Sequence, residues 1–369
     1  NSYGIDINPL ARLIAKVKTT LIQPERLKDA ASLLFNIIKK NHLAPIPVFD
    51  NIDFWFRPGA INDLAKIKHA IDTLDVSVNE RDFFLVCFSS IIRDASRADP
   101  FIAPPIILKT SNFPKNRKKE ITNIVNKKQH SSPIGLFEKR VNQNINRMIS
   151  LHLELNGRQT QKKATIIWDD ARDIKMGKYI SSGRLKKENP RALDNKIGLV
   201  ITSPPYMSAQ KYIRSTRLEL SWLGLVPIEE INQIDRKIIG TERITQNETK
   251  ELRPIGISIA DKMLKRVFNI NPTRYAIASN YYNEMKLSLN SIYKVLRPKG
   301  TCIIVVGNNN VCGIEAKNHI VLSELAAENR MFKTKTILRD SIASRGMITK
   351  RHATGGVIDD EYVLLLEKQ

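Results

Sequence analysis

The chain has 369 residues, enough for about two domains, and its 59 lysines and arginines against 37 aspartates and glutamates give a formal charge of +22. Such an excess favours nucleic acid, through counterion release, or an anionic membrane surface as partner. No stretch approaches the roughly 18 apolar residues of a spanning helix, and no signal-peptide pattern opens the chain. The three cysteines (Cys87, Cys302, Cys312) lack metal-ligand spacing and the six histidines form no cluster, so no metal is implied; buried, reduced thiols and a cytoplasmic location are expected.

In chain order, Ser2-Tyr3-Gly4-Ile5 reads as a short strand ending at an acid, Asp6, with Asn8-Pro9 opening a helix. Helical patterns follow at Leu27–Lys39, Ile61–Leu74 and Glu80–Asp94, and Phe54-Trp55-Phe56 reads as core packing. From Lys109 to Lys163 the charge is lopsided: thirteen basic residues, including Lys115, Arg117, Lys118, Lys119, Lys127 and Lys128, meet only Glu120, Glu138 and Glu154. The Ser131-Ser132-Pro133 and Asn156-Gly157 breaks suggest a DNA-tracking surface or mobile basic loop, with a solvated helix face as the alternative. Ala164–Ile167 is a second strand closed by acids, Asp169 and Asp170. Ile197–Ile201 is an apolar run closed by turn residues, the pattern of a buried parallel strand. A basic stretch runs from Arg236 to Arg274, then an amphipathic helix near Tyr282–Leu296, a turn Arg297-Pro298-Lys299-Gly300 and a strand Thr301–Val306. Gly307-Asn308-Asn309-Asn310 is either a polar turn or a participant in the site. Arg345, Lys350, Arg351 and His352 suggest a loop, and Glu361–Glu367 a buried strand.

The informative segment is Thr202-Ser203-Pro204-Pro205-Tyr206, just past the carboxyl end of Ile197–Ile201, where open α/β sheets bind ligands. Two prolines fix φ and push the residues before them into extended conformations, leaving a stiff corner with few backbone donors. It therefore presents acceptors, the Ser203 hydroxyl and the Pro204 carbonyl, while Tyr206 offers a face on which a base can stack. A pair of acceptors suits the exocyclic amine of cytosine or adenine, whose lone pair is delocalised into the ring. Drawing on the amine hydrogens makes the nitrogen tetrahedral and frees that pair for attack on an activated methyl, so positioning and electrostatics carry the rate. A base inside a duplex must first be flipped out. An ordinary proline turn is the structural alternative.

Thr202-Ser203-Pro204-Pro205-Tyr206 resembles motif IV of the amino-methylating DNA methyltransferases, which act on cytosine N4 or adenine N6; the serine form most resembles the cytosine branch. Tyr212–Gly224 is similar to the helix that follows this family's catalytic loop. The resemblance implies an α/β fold, a Rossmann-like sheet that binds S-adenosylmethionine, and double-stranded DNA with a flipped base as substrate. It also implies a restriction endonuclease as a possible partner. By resemblance to motifs II and III, Asp6 with Asn8 would hold the ribose of the cofactor, and Asp170 with Ala171 its adenine, beside Thr202. Ser203, Pro204, Pro205 and Tyr206 would be catalytic. The family's Gly-rich loop should lie about twenty residues before the ribose acid, but only five residues precede Asp6. The expectation is thus a sheet incomplete at the N-terminus, in a fragment that binds cofactor weakly or not at all. Residues 1–22 and 164–369 are assigned to the catalytic domain, 23–163 to a large, mainly helical, basic insertion, and 228–275 to a second basic insertion for target recognition. Methylation of RNA, or a DNA-binding remnant without catalysis, are the alternatives.

Overall fold

The computed structural model describes residues 1–40, 43–102, 104–155, 164–167, 170–174, 179–181, 184–186, 193–207, 212–249, 251–342 and 358–369. They form a mixed α/β structure of two compact units. Asp169, Asn156-Gly157 and the basic set Arg345, Lys350, Arg351 and His352 lie outside the described residues.

The first unit gathers residues 1–4, 8–166 and 212–232. Helices run over Pro9–Lys18, Pro24–Lys40, Pro58–Thr73, Val78–Ala95, Lys118–His130 and Pro133–Glu154. Their starts follow from capping chemistry. Asn8 Oδ1 accepts the Leu10 amide at 3.0 Å ahead of Pro9. Ser77 and Glu80 form a reciprocal capping box at the head of Val78–Ala95. Ser132 caps Pro133–Glu154, so the Ser131-Ser132-Pro133 break separates two helices. Most of the basic stretch is therefore helical and not a loop: Ile121, Phe137, Val141, Ile145 and Met148 turn inward while Lys118, Lys119 and Lys127 face solvent. The segment Tyr212–Leu223 and the helix Pro9–Lys18 group with these helices.

Aromatic rings fill this core. Phe56 and Phe88 meet Trp222 edge-on, with centroids 5.6 and 6.3 Å apart, an arrangement worth about 1 kcal/mol per pair beyond burial. Phe56 is wholly buried, whereas Phe54 is exposed, so only part of Phe54-Trp55-Phe56 serves the core. Glu219, one turn before Trp222, is buried in the same region, and burial drives its carboxyl up to about 7 against the pull of the Arg93 charge. A carboxyl raised in the folded state binds its proton more tightly there than when unfolded. Its stability contribution is full below the ordinary value of 4.5 and is lost as pH rises through about 7. Glu219→Gln should therefore raise the unfolding free energy at pH 8 by up to about 3 kcal/mol and change it little at pH 4.5. Urea titrations at the two pH values check this, and an equal shift at both would contradict it.

The second unit gathers residues 5–7, 167–211 and 233–369 around a four-stranded sheet. Ile197–Thr202 at one edge pairs parallel to Leu296–Gly307. Next comes Asp360–Lys368, antiparallel to Leu296–Gly307, and last Phe332–Ser341, antiparallel to Asp360–Lys368. The buried C-terminal strand expected at Glu361–Glu367 is thus interior to the sheet. The helix expected near Tyr282–Leu296 begins earlier, at Pro272, where Asn271 caps it, and runs to Val295. Pairing with Ile197–Thr202 starts at Leu296 and resumes at Thr301, so the expected turn Arg297-Pro298-Lys299-Gly300 is a bulge within one long strand. Gly300 is required there: a Cβ would lie 2.8 Å from the Arg297 carbonyl oxygen.

One face of the sheet, through Cys302, Ile304, Val306, Leu364 and Leu366, packs under Pro272–Val295 and the helix Asn318–Ala327. Within residues 228–275, Ile255, Ile257, Met263, Leu264 and Val267 are built into the same core. On the edge strand, Leu199 and Ile201 are 51% and 66% exposed, so that strand is less buried than its apolar run suggests. At the far end the Lys368 ammonium donates to the Asn195 side chain and to the Tyr293 and Leu296 carbonyls at 2.7–2.8 Å. The three cysteines are free, and burial pushes the Cys87 and Cys302 thiols up to about 12. Among the described residues no helix is long and apolar enough to cross a membrane, and no cluster suits a metal ion.

Candidate functional site

Thr202, paired with Ile304, is the last sheet residue before the proline corner. Ser203 is exposed, Pro204 buried, and Pro205 and Tyr206 half-buried. A buried proline beside an exposed serine fixes the corner to the core while its hydroxyl faces outward.

The ring of Tyr206 is held from three directions. Its hydroxyl donates to Glu361 Oε1 at 2.6 Å, from the interior strand. Its edge lies over Gly307, where a Cβ would come within 3.2 Å of Tyr206 Cε2 and 2.7 Å of Ile358 Cγ2. The next residue, Met207, accepts a bond from Asn309 Nδ2 through its carbonyl at 2.7 Å. Asn309 is held in turn: its Oδ1 accepts from Asn318 Nδ2, which also donates to the Gly307 carbonyl, both at 2.9 Å. Tyr282 closes the chain by donating to Asn318 Oδ1 at 2.9 Å, and burial pushes its phenol well above the ordinary range. Gly307-Asn308-Asn309-Asn310 is therefore more than a polar turn. Asn309 braces the corner, and Asn308 meets His319, whose ring stacks on Tyr362 at 3.7 Å.

Glu361, Asn318, Tyr282 and Glu284 were not foreseen from the residues. A Glu at the head of an apolar strand and an Asn opening an apolar helix were the available signals, and neither points to a partner.

The residues expected to hold a cofactor are placed as follows. Ile5, the neighbour of Asp6, packs against Ile167, Leu193 and Val295. Ile5 and Ile167 are the last residues of the strands Ser2–Ile5 and Ala164–Ile167. Asn8 serves as the helix cap described above. Asp170 receives Arg172 Nε at 2.9 Å and Nη2 as well, while the same guanidinium reaches Glu284 and the Lys237 carbonyl. Burial raises the Asp170 carboxyl, but the bonds from Arg172 outweigh it and hold it below the usual range. Glu284 is the reverse case: burial prevails over the Gly240 amide and Arg172 and lifts it. Ala171 sits half-buried in the turn between the two.

Aligned over 396 residues, which cover 99% of this chain and 79% of the relative, the chain is 26% identical to the Type II methyltransferase M.MvaI of Kocuria varians. The chain is thus similar to a Type II methyltransferase over nearly its whole length. That relationship extends across both units and includes the proline corner. No family model and no solved structure matches this chain.

Proposed function

We propose that the protein transfers a methyl group to the exocyclic amine of a base flipped out of double-stranded DNA, with cytosine N4 preferred over adenine N6. What carries this reading is an exposed Ser203 hydroxyl beside a buried Pro204, at the tip of a sheet strand, with Tyr206 locked by Glu361. Ser203 Oγ and the Pro204 carbonyl take the two amine hydrogens. The nitrogen lone pair, no longer drawn into the ring, is then directed at the methyl carbon. Tyr206, held edge and hydroxyl, presents its face to the unstacked base, a contact worth roughly 1–3 kcal/mol. Pro205 keeps the corner short of competing donors. The sheet order, a parallel pair continued by an antiparallel pair, fits the later half of a Rossmann-like methyltransferase sheet.

S-adenosylmethionine is the methyl source that the relationship implies. We keep Asp6, Asn8, Asp170, Ala171 and Thr202 as the residues that would hold it. Asn8 also caps its helix, and Asp170 also accepts from Arg172. Residues 228–275 remain the region to which we assign target choice, and the +22 charge supports DNA as partner.

The test is mass analysis of nucleosides from cells expressing the gene. N4-methylcytosine, or N6-methyladenine, is expected in DNA and should disappear in Ser203→Ala and fall by at least tenfold in Tyr206→Ala. A modified base confined to RNA, or no modified base at all, would reject the proposal.

A further inference from the structure

The helical unit contains a cavity of about 340 Å³ that none of the chemistry above uses. Three cations line it, Arg57, Arg97 and Lys128, together with Ser96, Gln129 and an apolar wall, and no acidic residue does. Each cation is held from behind by backbone carbonyls. Lys128 Nζ donates to the carbonyls of Arg93, Asp94 and Ser96 at 2.7–3.3 Å, around the C-terminal end of Val78–Ala95. Arg57 Nη2 donates to the Ser131 carbonyl, beyond the end of Lys118–His130. Arg97 Nη1 donates to the Asp53 and Phe54 carbonyls. Those bonds fix the positions of the three charges without cancelling them.

Two observations mark the cluster as costly to bury, although Asp94 and Asp99 lie near Lys128 and Asp63 near Arg57. Arg57 Nε is buried with no hydrogen-bond partner, a costly state for a charged donor. Burial also draws the Lys128 ammonium down to about 8, in spite of Asp94 and Asp99 nearby. One wall belongs to the helix Lys118–His130, whose outer face carries the exposed Lys118, Lys119 and Lys127, so the cavity opens within a surface of the same sign.

We propose that this cavity is a seat for a DNA backbone phosphate, with Arg57 and Arg97 donating to its oxygens, Lys128 supplying charge and the apolar wall meeting the neighbouring sugar. A planar guanidinium suits a phosphate better than a lone ammonium. The inference rests on DNA being the partner. It concerns binding, so it can fail while methyl transfer stands, and the reverse.

The experiment measures binding of the full chain to a fluorescein-labelled duplex of mixed sequence by anisotropy, between 50 and 200 mM salt. Arg97→Gln, at the exposed rim, and Lys128→Gln are compared with the parent, each checked for fold by circular dichroism. The expected result is about tenfold weaker binding in Arg97→Gln and a salt slope shallower by about 1 in log–log form. Inorganic phosphate and a deoxynucleoside monophosphate serve as competitors. Competition at millimolar concentration in the parent and not in Arg97→Gln supports the seat. If Lys128→Gln unfolds, Arg97→Gln alone decides. An unchanged slope and affinity in a folded Arg97→Gln would overturn the proposal. So would free phosphate binding that leaves duplex affinity untouched, because the source would then not be DNA.

Discussion

Replacing Arg172 by leucine is expected to lower the unfolding free energy by about 3 kcal/mol at pH 7, more than any surface change in this chain. Arg172 is mostly buried and answers two carboxylates at once, Asp170 and Glu284, as well as the Lys237 carbonyl. Leucine supplies similar bulk but leaves both acids facing each other with only the weaker pull of Lys237 on Asp170. The pH dependence separates this cause from simple repacking. In the parent, Asp170 is held below its ordinary value, so its contribution is present above that value and lost as pH falls through the lowered one. Glu284 is raised, so it opposes stability increasingly as pH climbs through its folded value. Without Arg172 both carboxyls rise, and protonating them relieves the repulsion. The deficit should be largest near pH 7 and narrow as pH falls toward about 4. Urea unfolding of parent and variant at several pH values measures it; a deficit independent of pH would remove the electrostatic explanation.

Gly307→Ala is expected to act on the reaction more than on the fold. The new methyl carbon would sit 2.7 Å from Ile358 Cγ2 and 3.2 Å from Tyr206 Cε2, distances that force one of them to move. Ile358 is the end of a branched side chain and can give, whereas Tyr206 is tied by its hydroxyl to Glu361. The stability cost should be about 1–2 kcal/mol. Displacement of the ring by even about 1 Å can cost on the order of 100-fold in rate, so methylated-base yield should fall sharply while the melting curve shifts only modestly. Glu361→Gln, which keeps a hydrogen bond from the phenol, should be milder than Gly307→Ala. Equal yields in the parent and Gly307→Ala would show that Tyr206 has no positional role.

The parts of this structure legible in the residues are those governed by neighbours in sequence. The proline corner could be placed because proline fixes its own φ, and the helix start at Asn8-Pro9 because Asn8 caps locally. The starts capped by Ser77 and Asn271, by contrast, lie ahead of the apolar periods that mark Glu80–Asp94 and Tyr282–Leu296. Lys118–His130 was harder, since only Ile121 is buried in it and the surrounding lysines mask the period. The contacts that hold the corner were out of reach for a different reason. Tyr206 and Glu361 are 155 positions apart, and Met207 and Asn309 are 102 apart. Each pairing depends on which strand stands beside which, and here the strand that comes last lies between two earlier ones. Arg172 could be read as basic, but its choice of Glu284, 112 positions on, follows only from the packed helix.

That order also sets a timetable for synthesis. The segment Phe332–Ser341 hydrogen-bonds in this sheet to Asp360–Lys368 and not to Leu296–Gly307. While a ribosome is still translating the codons before Asp360, the earlier segment has been made but has no ladder to join, and Tyr206 has no Glu361 to hold it. A nascent chain therefore holds its corner first through the two prolines and Asn309, and only last through the bond from Tyr206 to Glu361.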